Sequence, residues 1–395
     1  MTLILFLIIL SILVFVHEFG HFLMAKRAGI LVEEFGFGLP PRIWSKKIGE
    51  TLYSINLLPI GGFVKLYGEE GIESSKFKVQ SSKFAGRAFF EKSIFQRLKV
   101  ILAGVTMNWI LAIFVFAVIY TITGIPVKTD RVKVVGIAKD SPAKAAQLKL
   151  DDQIISLDGQ EIKDVDNFVK LTREKAGKVI FLEIKREKDN PCAGDLVLGG
   201  KIAPGLEVSC KNGNLLLALV PRVAPPEGQG PLGIAVSQTE IKFYSRWEMP
   251  ILGIKEGLEE SLVWGKMIGR SLAEMFKNLI FKGEIPKDVA GPIGIYQATG
   301  TVAKSGILAI FEFLGILSIN LAIINVLPFP ALDGGRLVFL GIEAFFGKKI
   351  APRVEVWINN LGMAFLLLLV LLITINDIVR IVTVGNLFEK LRMAF

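Results

Sequence analysis

The chain has 395 residues, of which 52% are hydrophobic, and its mean hydropathy is +0.53. These values exclude an ordinary soluble enzyme, and because the apolar residues form long blocks they indicate a membrane protein with several spans. The formal net charge is +9. Most of this charge lies in one loop, where it indicates membrane topology and does not require a nucleic-acid partner.

The first apolar run, residues 3–25, is long enough to cross about 30 Å of hydrocarbon as a helix. It is interrupted by His17-Glu18-Phe19-Gly20-His21. Residues i and i+4 lie on one face of a helix, so the two imidazoles can bind one metal ion with Glu18 beside it. Ionisable side chains are costly inside a bilayer and are functional by default. The pattern therefore predicts a zinc site within a membrane helix.

Membrane topology follows from the other apolar runs and from the loop charges. The first run lacks the basic start and the cleavage site of a signal peptide, so we expect it to be retained. Runs 100–124, 306–326 and 356–375 bring the predicted spans to four. Residues 26–99 contain 13 Lys and Arg against 7 Glu. The positive-inside rule places this loop in the cytoplasm, with the N-terminus and residues 125–305 outside.

The outer segment contains both cysteines of the chain, Cys192 and Cys210. An oxidising compartment would permit a disulfide between them, and two free thiols are the alternative. Residues 132–236 combine short alternating strands with two helix-like stretches. Residues 250–281 repeat apolar side chains at helical spacing. They predict an amphipathic helix that lies on the outer membrane face or packs on the outer domain.

A catalytic zinc needs a third protein ligand and an open position for water. The chain has only two histidines and both cysteines lie outside, so the third ligand must be a carboxylate. The candidates in or beside spans are Glu312, Asp333 and Asp377. The two histidines lie near the cytoplasmic end of the first span. Only Asp333, at the end of the third span, lies at that level.

Asp333 belongs to Asn325-Val-Leu-Pro-Phe-Pro-Ala-Leu-Asp333-Gly-Gly. The prolines end the helix and the glycines permit a tight turn, so a non-helical segment presents the carboxylate. By itself this motif is more typical of a plain turn in which the Asp caps the next segment.

Together, HEFGH in the first span and NxxPxPxxDGG in the third resemble the site-2 protease family of intramembrane zinc metalloproteases. Glu34-Phe-Gly-Phe-Gly, residues 53–69 and Gly291-Pro-Ile-Gly resemble the bacterial regulator-of-sigma-E protease branch of that family. One position departs from the family pattern. The second span usually carries Ala-Gly-Pro before an Asn, whereas here Ala103-Gly104-Val105 precedes Asn108.

The resemblance implies a set of site residues. His17, His21 and Asp333 would be the zinc ligands and Glu18 the catalytic acid and base, and Asn325 would lie near the substrate or its oxyanion. The resemblance also implies a β-hairpin over residues 61–69 that dips into the membrane. In it Gly62, Phe63 and Val64 would position an unwound substrate at a strand edge. An ordinary cytoplasmic hairpin is the alternative.

Residues 126–240 resemble a circularly permuted bacterial PDZ domain, with Leu232, Gly233 and Ile234 in the loop that would bind a peptide carboxylate. A domain that binds no peptide and acts as a steric filter is the alternative. We therefore expect a polytopic α-helical membrane protein of four spans with an inserted α+β PDZ domain. Its expected parts are a membrane core (1–125), the PDZ domain (126–240), an amphipathic linker (241–305) and a second core (306–395).

The resemblance further implies the activity of an intramembrane Zn²⁺ metalloprotease in regulated intramembrane proteolysis. Its substrate would be a single-span membrane protein, of the anti-sigma-factor or remnant-signal-peptide type, already trimmed by an upstream site-1 type protease. The enzyme would be located in the lipid bilayer of the bacterial inner membrane. Two other classes are weaker alternatives. A catalytically silent PDZ adaptor would not need Glu18, and a membrane zincin acting on prenylated tails would need a helical Glu ligand in place of Asp333.

Overall fold

The structure, a computed structural model, describes residues 1–69, 86–187, 200–203, 206–211, 213–282, 291–347 and 350–394. The chain divides into two compact units. The helical unit comprises Met1–Thr123 and Ser245–Phe395, and the sheet unit comprises Gly124–Tyr244.

The secondary-structure elements are, in chain order, α1 (Thr2–Arg27), β1 (Val32–Ile48), β2 (Thr51–Leu66), α2 (Ile94–Thr123), β3 (Ile125–Ile137), α3 (Pro142–Ala145), β4 (Gln153–Leu157), β5 (Gln160–Glu161), α4 (Val165–Glu174), β6 (Ile180–Lys185), β7 (Gly200–Ala203), β8 (Leu206–Lys211), β9 (Asn214–Leu219), β10 (Ile234–Lys242), α5 (Glu248–Lys282), α6 (Pro292–Lys304), α7 (Ile307–Val326), α8 (Asp333–Phe346) and α9 (Pro352–Ala394).

Within the described residues, four helices are long and apolar enough to cross a membrane: α1, α2, α7 and residues 353–379 of α9. The sequence predicted four such spans. The second helix begins at Ile94, earlier than the apolar run that starts at residue 100, because its first turns carry charged residues that a hydropathy criterion excludes. Ile9, Leu13, Val115 and Leu314 form one of the buried clusters that join α1, α2 and α7.

The strands β1 and β2 form a sheet in which one stretch of β1 has two partners. Residues 34–37 pair with residues 62–65 on one side and with residues 52–55 on the other. Residues 53–57 and 63–66 are therefore both strands, but they lie on opposite sides of β1 and do not pair with each other, so the expected hairpin over residues 61–69 is wrong. Among the described residues, 62–66 consequently form an edge of this sheet.

The amphipathic helix predicted over residues 250–281 is α5, and it belongs to the helical unit. It packs lengthwise against α2 through small residues. A Cβ added at Gly253 would lie 2.5 Å from Thr121 Oγ1, and one added at Gly257 would lie 2.6 Å from Ile113 O. The apolar spacing indicated the helix, but the glycines decide the partner because only they allow the two backbones to approach so closely.

The sheet unit contains an eight-stranded sheet of order β10-β3-β4-β6-β9-β8-β7, with β5 paired to β4. Its core includes the fully buried Val132, Leu157, Ile180 and Leu182. The helix-like stretch from Ser141 is helical only over α3, whereas the second stretch forms α4.

The helix α8 is fixed to α2 by a buried ion pair. The Arg97 guanidinium donates to both carboxylate oxygens of Glu343, at 2.8 and 2.6 Å. The exposed fractions of the two side chains are 9% and 14%. A bidentate pair of this kind is geometrically specific, so it orients the helix that begins at Asp333.

We expect Arg97→Leu to lower the free energy of unfolding by roughly 3 kcal/mol, because it removes the bidentate guanidinium partner of the mostly buried Glu343 carboxylate. Thermal denaturation in detergent micelles measures this loss. Arg97→Leu combined with Glu343→Leu should recover part of it. Lys255→Ala, which removes the exposed Lys255–Glu259 pair on α5, is the control and should change the midpoint little. Glu343→Leu alone completes the comparison. If the double variant lost as much stability as the two single variants together, the proposed coupling between Arg97 and Glu343 would be contradicted.

Candidate metal centre

Three predicted ligand residues converge between α1 and α8. The Nε2 atoms of His17 and His21 lie 3.2 Å apart. Asp333 Oδ2 lies 3.1 Å from the first and 3.3 Å from the second. Both histidines are buried, with exposed fractions of 7% and 8%. Within the described residues, these three side chains form a group whose ligand atoms could hold one metal ion.

The distances within this group fit zinc. Ligand atoms at 2.0–2.1 Å from a tetrahedral centre are separated from one another by about 3.3 Å, which agrees with the separations of 3.1 to 3.3 Å observed here. Asp333 Oδ2 is buried and no described group donates a hydrogen bond to it. Two imidazoles and one carboxylate are a donor set of catalytic zinc sites and leave one coordination position open.

Two glycines bring α1 and α2 close enough to build this site. A Cβ added at Gly20 would lie 2.3 Å from Ala103 O. A Cβ added at Gly104 would lie 2.3 Å from His21 Nε2 and 2.7 Å from His17 Cε1. The structure thus gives a reason for Gly104, whose role the sequence left open. Val105, which stands where the family usually has proline, lies inside α2 and is partly buried.

The turn that presents Asp333 depends on the two glycines after it. A Cβ added at Gly334 would lie 2.0 Å from Leu327 O, and one added at Gly335 would lie 2.5 Å from Phe329 O. No side chain fits at either position without moving the backbone. The chain therefore turns back tightly after α7 and places Asp333 at the first residue of α8.

Glu18 lies beside the edge of the β1–β2 sheet. Its Oε2 accepts a hydrogen bond of 3.0 Å from Val64 N–H. Both residues line a cavity of about 470 Å³ together with His21, Asp333 and Phe63. A Cβ added at Gly62 would lie 2.9 Å from Gly36 O and 3.9 Å from Glu18 Cγ. The residues predicted to position a substrate therefore lie next to the predicted acid and base.

Two asparagines also approach the site. Asn325 Nδ2, on the last turn of α7, lies 3.5 Å from His17 Nε2. Asn108 Nδ2, on α2, lies 3.4 Å from His17 Nδ1. The sequence motif predicted a role for Asn325 and none for Asn108. The spacing from Gly104 to Asn108 could have indicated it, since residues i and i+4 lie on the same helix face.

The same cavity is also lined by Glu33, Lys65, Glu69 and Arg336. The Arg336 guanidinium forms an ion pair with Glu69, at the end of the sheet edge. The negative charge of Glu69 raises the pKa of Arg336 above its usual range. Arg336 therefore stays charged and holds α8 against the residues that follow β2.

The remaining predicted residues lie outside the metal centre. Asp377 Oδ2 accepts a hydrogen bond of 2.9 Å from Gly294 N–H at the start of α6, and Glu312 is exposed on α7. Neither belongs to the group around Asp333. Cys210 lies in β8 and is not free. Cys192 lies outside the described residues, so the Cys192–Cys210 pair stays a prediction.

The loop predicted to bind a peptide carboxylate leads into β10. Leu232 is buried in the core of the sheet unit. Gly233 adopts φ +69 and its N–H donates a 3.0 Å hydrogen bond to Gly230 O. Ile234 pairs with Ile137 of β3. The Gly233 N–H is therefore already bonded within the loop. Peptide binding by Leu232, Gly233 and Ile234 stays a prediction.

The chain is similar to known proteins over most of its length. The model of peptidase family M50 matches residues 5–369. The zinc metalloprotease RasP of Geobacillus kaustophilus is 31% identical, with 94% of this chain and 96% of the relative covered. The regulator of sigma-W protease RasP of Bacillus subtilis is 31% identical, with 96% and 99% covered.

A match of this extent defines the class of protein. The chain belongs to peptidase family M50. It is a zinc metalloprotease and a multi-pass membrane protein. The chain is also similar to the crystal structure of a PDZ domain from the SdrC-like protein of Listeria monocytogenes, with 18% identity, a TM-score of 0.20, and 28% of this chain and 93% of that chain covered. That score is too low to assign a fold.

We expect Gly104→Ala to lower zinc occupancy and proteolysis together, because the added methyl group would displace both imidazoles. Zinc content of the purified protein, measured by elemental analysis, tests this. Gly341→Ala is the matched control, since a Cβ at Gly341 on α8 would meet nothing within 4 Å. Wild-type zinc content in Gly104→Ala would show that the two helices can separate without disturbing the ligands.

Proposed function

We propose that His17, His21 and Asp333 hold the zinc ion and that the chain cleaves peptide bonds within the membrane. The observation that carries this proposal is the convergence of three ligand atoms at 3.1 to 3.3 Å, two of them on a helix long enough to span a bilayer. Buried ionisable groups in such a helix are retained where function requires them.

The residues around the ion have separate tasks in this mechanism. When bound, zinc acts as a Lewis acid that polarises the scissile carbonyl and makes the attacking water more acidic. Glu18 takes the proton of that water and returns it to the leaving amine nitrogen. Because Val64 N–H already occupies Oε2, we assign the proton transfer to Oε1. The Asn325 amide donates to the carbonyl oxygen as negative charge develops there.

The edge strand at residues 62–66 is the surface that we assign to the substrate backbone. A membrane helix hides its carbonyls in its own hydrogen bonds, so a substrate must be locally opened before it is cut. The backbone groups of Gly62, Phe63 and Val64 form an edge to which an extended segment can add as a further strand, apart from the Val64 N–H, which already donates to Glu18 Oε2. Its scissile carbonyl would then lie beside Glu18. Segments with weak helix formers should be preferred.

The substrate that fits this arrangement is a single-span membrane protein. The printed name of the Bacillus subtilis relative, a regulator of sigma-W protease, supports a substrate of the anti-sigma-factor type, with remnant signal peptides as the related case. We infer a role in regulated intramembrane proteolysis in the bacterial inner membrane, after an upstream site-1 type protease. The excess of Lys and Arg in residues 26–99 supports an N-terminus and a sheet unit on the outer side.

We infer that the sheet unit is a PDZ domain that restrains access to the site and supplies no chemistry. The order of its strands and helices along residues 126–240 supports this domain type. The Gly233 N–H is used internally, which favours exclusion of bulky outer domains over capture of a peptide terminus. A silent adaptor is less well supported, because it would not need Glu18, the three ligands and the turn at Gly334 and Gly335.

Glu18→Gln should retain zinc at the wild-type level and lose proteolysis, because the ligands remain and the proton acceptor is gone. Asp333→Ala should lose both, because it removes a ligand. Zinc content and cleavage of a purified single-span substrate in detergent or liposomes measure the two properties. Substantial cleavage by Glu18→Gln would contradict its role. Wild-type zinc content in Asp333→Ala would point to another third ligand.

Deletion of the sheet unit should leave zinc binding intact and allow cleavage of a substrate whose folded outer domain is still present. Residues Ile125 and Lys242 are paired neighbours at the base of this unit, so a short flexible linker can join the remaining ends. The measurement compares full-length with trimmed substrate for both forms of the enzyme.

Glu18→Gln in the deleted form is the control for that experiment and should cleave neither substrate. Loss of cleavage of the trimmed substrate, with zinc still bound, would show that the sheet unit delivers the substrate and would contradict the filter.

A further inference from the structure

Asn108 is a fully buried amide with an unsatisfied oxygen next to the metal centre. It lies on α2, one turn after Gly104, and its exposed fraction is 0%. Its Oδ1 has no hydrogen-bond partner among the described residues. Its Nδ2 lies 3.4 Å from His17 Nδ1. A buried polar atom without a partner is costly, so the site should contain a donor that reaches it.

The two ring nitrogens of His17 have different roles, because only one of them can bind the metal ion. The Nε2 atom faces His21 and Asp333, so it must carry the lone pair if it binds a metal ion. The proton of the neutral ring then lies on Nδ1, which becomes a donor. A histidine that binds a metal normally donates this second N–H to an acceptor, which fixes the ring and its tautomer.

His21 has such an acceptor on the backbone. Its Nδ1 lies 2.8 Å from Val100 O, one turn before Gly104 on the same helix. For His17 the described group at the equivalent nitrogen is the Asn108 amide. With Nδ2 toward the ring, two N–H groups would face each other and neither would be satisfied. Rotation of the amide by about 180° exchanges its nitrogen and oxygen with little change of shape. It brings the unsatisfied Oδ1 to the Nδ1–H.

We propose that Asn108 is a positioning residue of the zinc site, whose Oδ1 accepts the Nδ1–H of His17 and so holds Nε2 toward the metal ion. This inference rests on the ligand set proposed above. It makes α2 the source of both acceptors, Val100 O for His21 and Asn108 Oδ1 for His17. The same helix that approaches the imidazoles at Gly104 then also sets their tautomers.

The experiment compares the zinc affinity of full-length variants in detergent, by competition with chelators of graded strength. Asn108→Leu keeps a similar shape without an acceptor and should weaken zinc binding about 10-fold to 100-fold. Asn108→Asp keeps an acceptor oxygen and should restore the affinity to near the wild-type value.

Ser318→Ala is the control for helix packing. Ser318 Oγ donates to the backbone oxygen of Asn108 at 2.7 Å, so this variant weakens the contact of α7 with α2 at the same residue without touching His17. It should bind zinc with wild-type affinity.

Two results would overturn the inference. Wild-type affinity in Asn108→Leu would show that His17 needs no acceptor from α2. Equal losses in Asn108→Leu and Asn108→Asp would show that the amide matters for packing alone. His17→Ala separates this inference from the ligand set. If His17→Ala still binds zinc as the wild type does, the proposed ligands are wrong. If it loses zinc while Asn108→Leu does not, only the role of Asn108 is wrong.

Discussion

The approach of three electron-pair donors in the interior of the helical unit is the constraint on which the rest of the structure depends. The ligand atoms of His17, His21 and Asp333 are 3.1 to 3.3 Å apart. The lone pairs of these atoms repel one another unless a proton or a metal cation lies between them, and a medium of low dielectric constant strengthens this interaction. A bound zinc ion would turn the repulsion into attraction. The local features of the chain serve to hold the donors in place, through the close approach of α2 at Gly104 and the tight turn at Gly334.

Two ion pairs fix the position of the helix that carries the Asp333 carboxylate. Arg97 joins the start of α2 to α8 through Glu343, and Arg336 joins α8 to Glu69 beyond the end of β2. The helix that begins at Asp333 is thereby connected both to the helix behind the histidines and to the strand that contacts Glu18. Charged pairs in mostly buried positions contribute to geometry more than to net stability, and geometry is what a metal site requires.

Under the proposed function, the sheet edge at residues 62–66 is where a locally opened membrane segment would bind. In hydrocarbon, a segment that leaves the helical conformation exposes N–H and C=O groups that no solvent satisfies. In this role, the edge at residues 62–66 would offer partners to those groups beside Glu18, apart from the Val64 N–H, which already donates to Glu18. Under the proposed function, selectivity therefore depends on how easily a segment unwinds. The side chains around the cut then need little specific recognition.

The sequence by itself determined the four apolar helices and the His17-Glu18-His21 spacing, and it predicted Asp333 as the third ligand. Each of these follows from local rules, namely the length that spans a bilayer, the i, i+4 face of a helix and the depth of a residue along a span. Tertiary structure decided three other features. They are the separation of residues 53–57 from residues 63–66 by β1, the packing of α5 on α2 and the placement of Asn108 beside His17. These features depend on which backbones approach one another. Single residues distant in the sequence, such as Gly104 and Gly257, determine that approach, and they form no periodic pattern that the sequence would show.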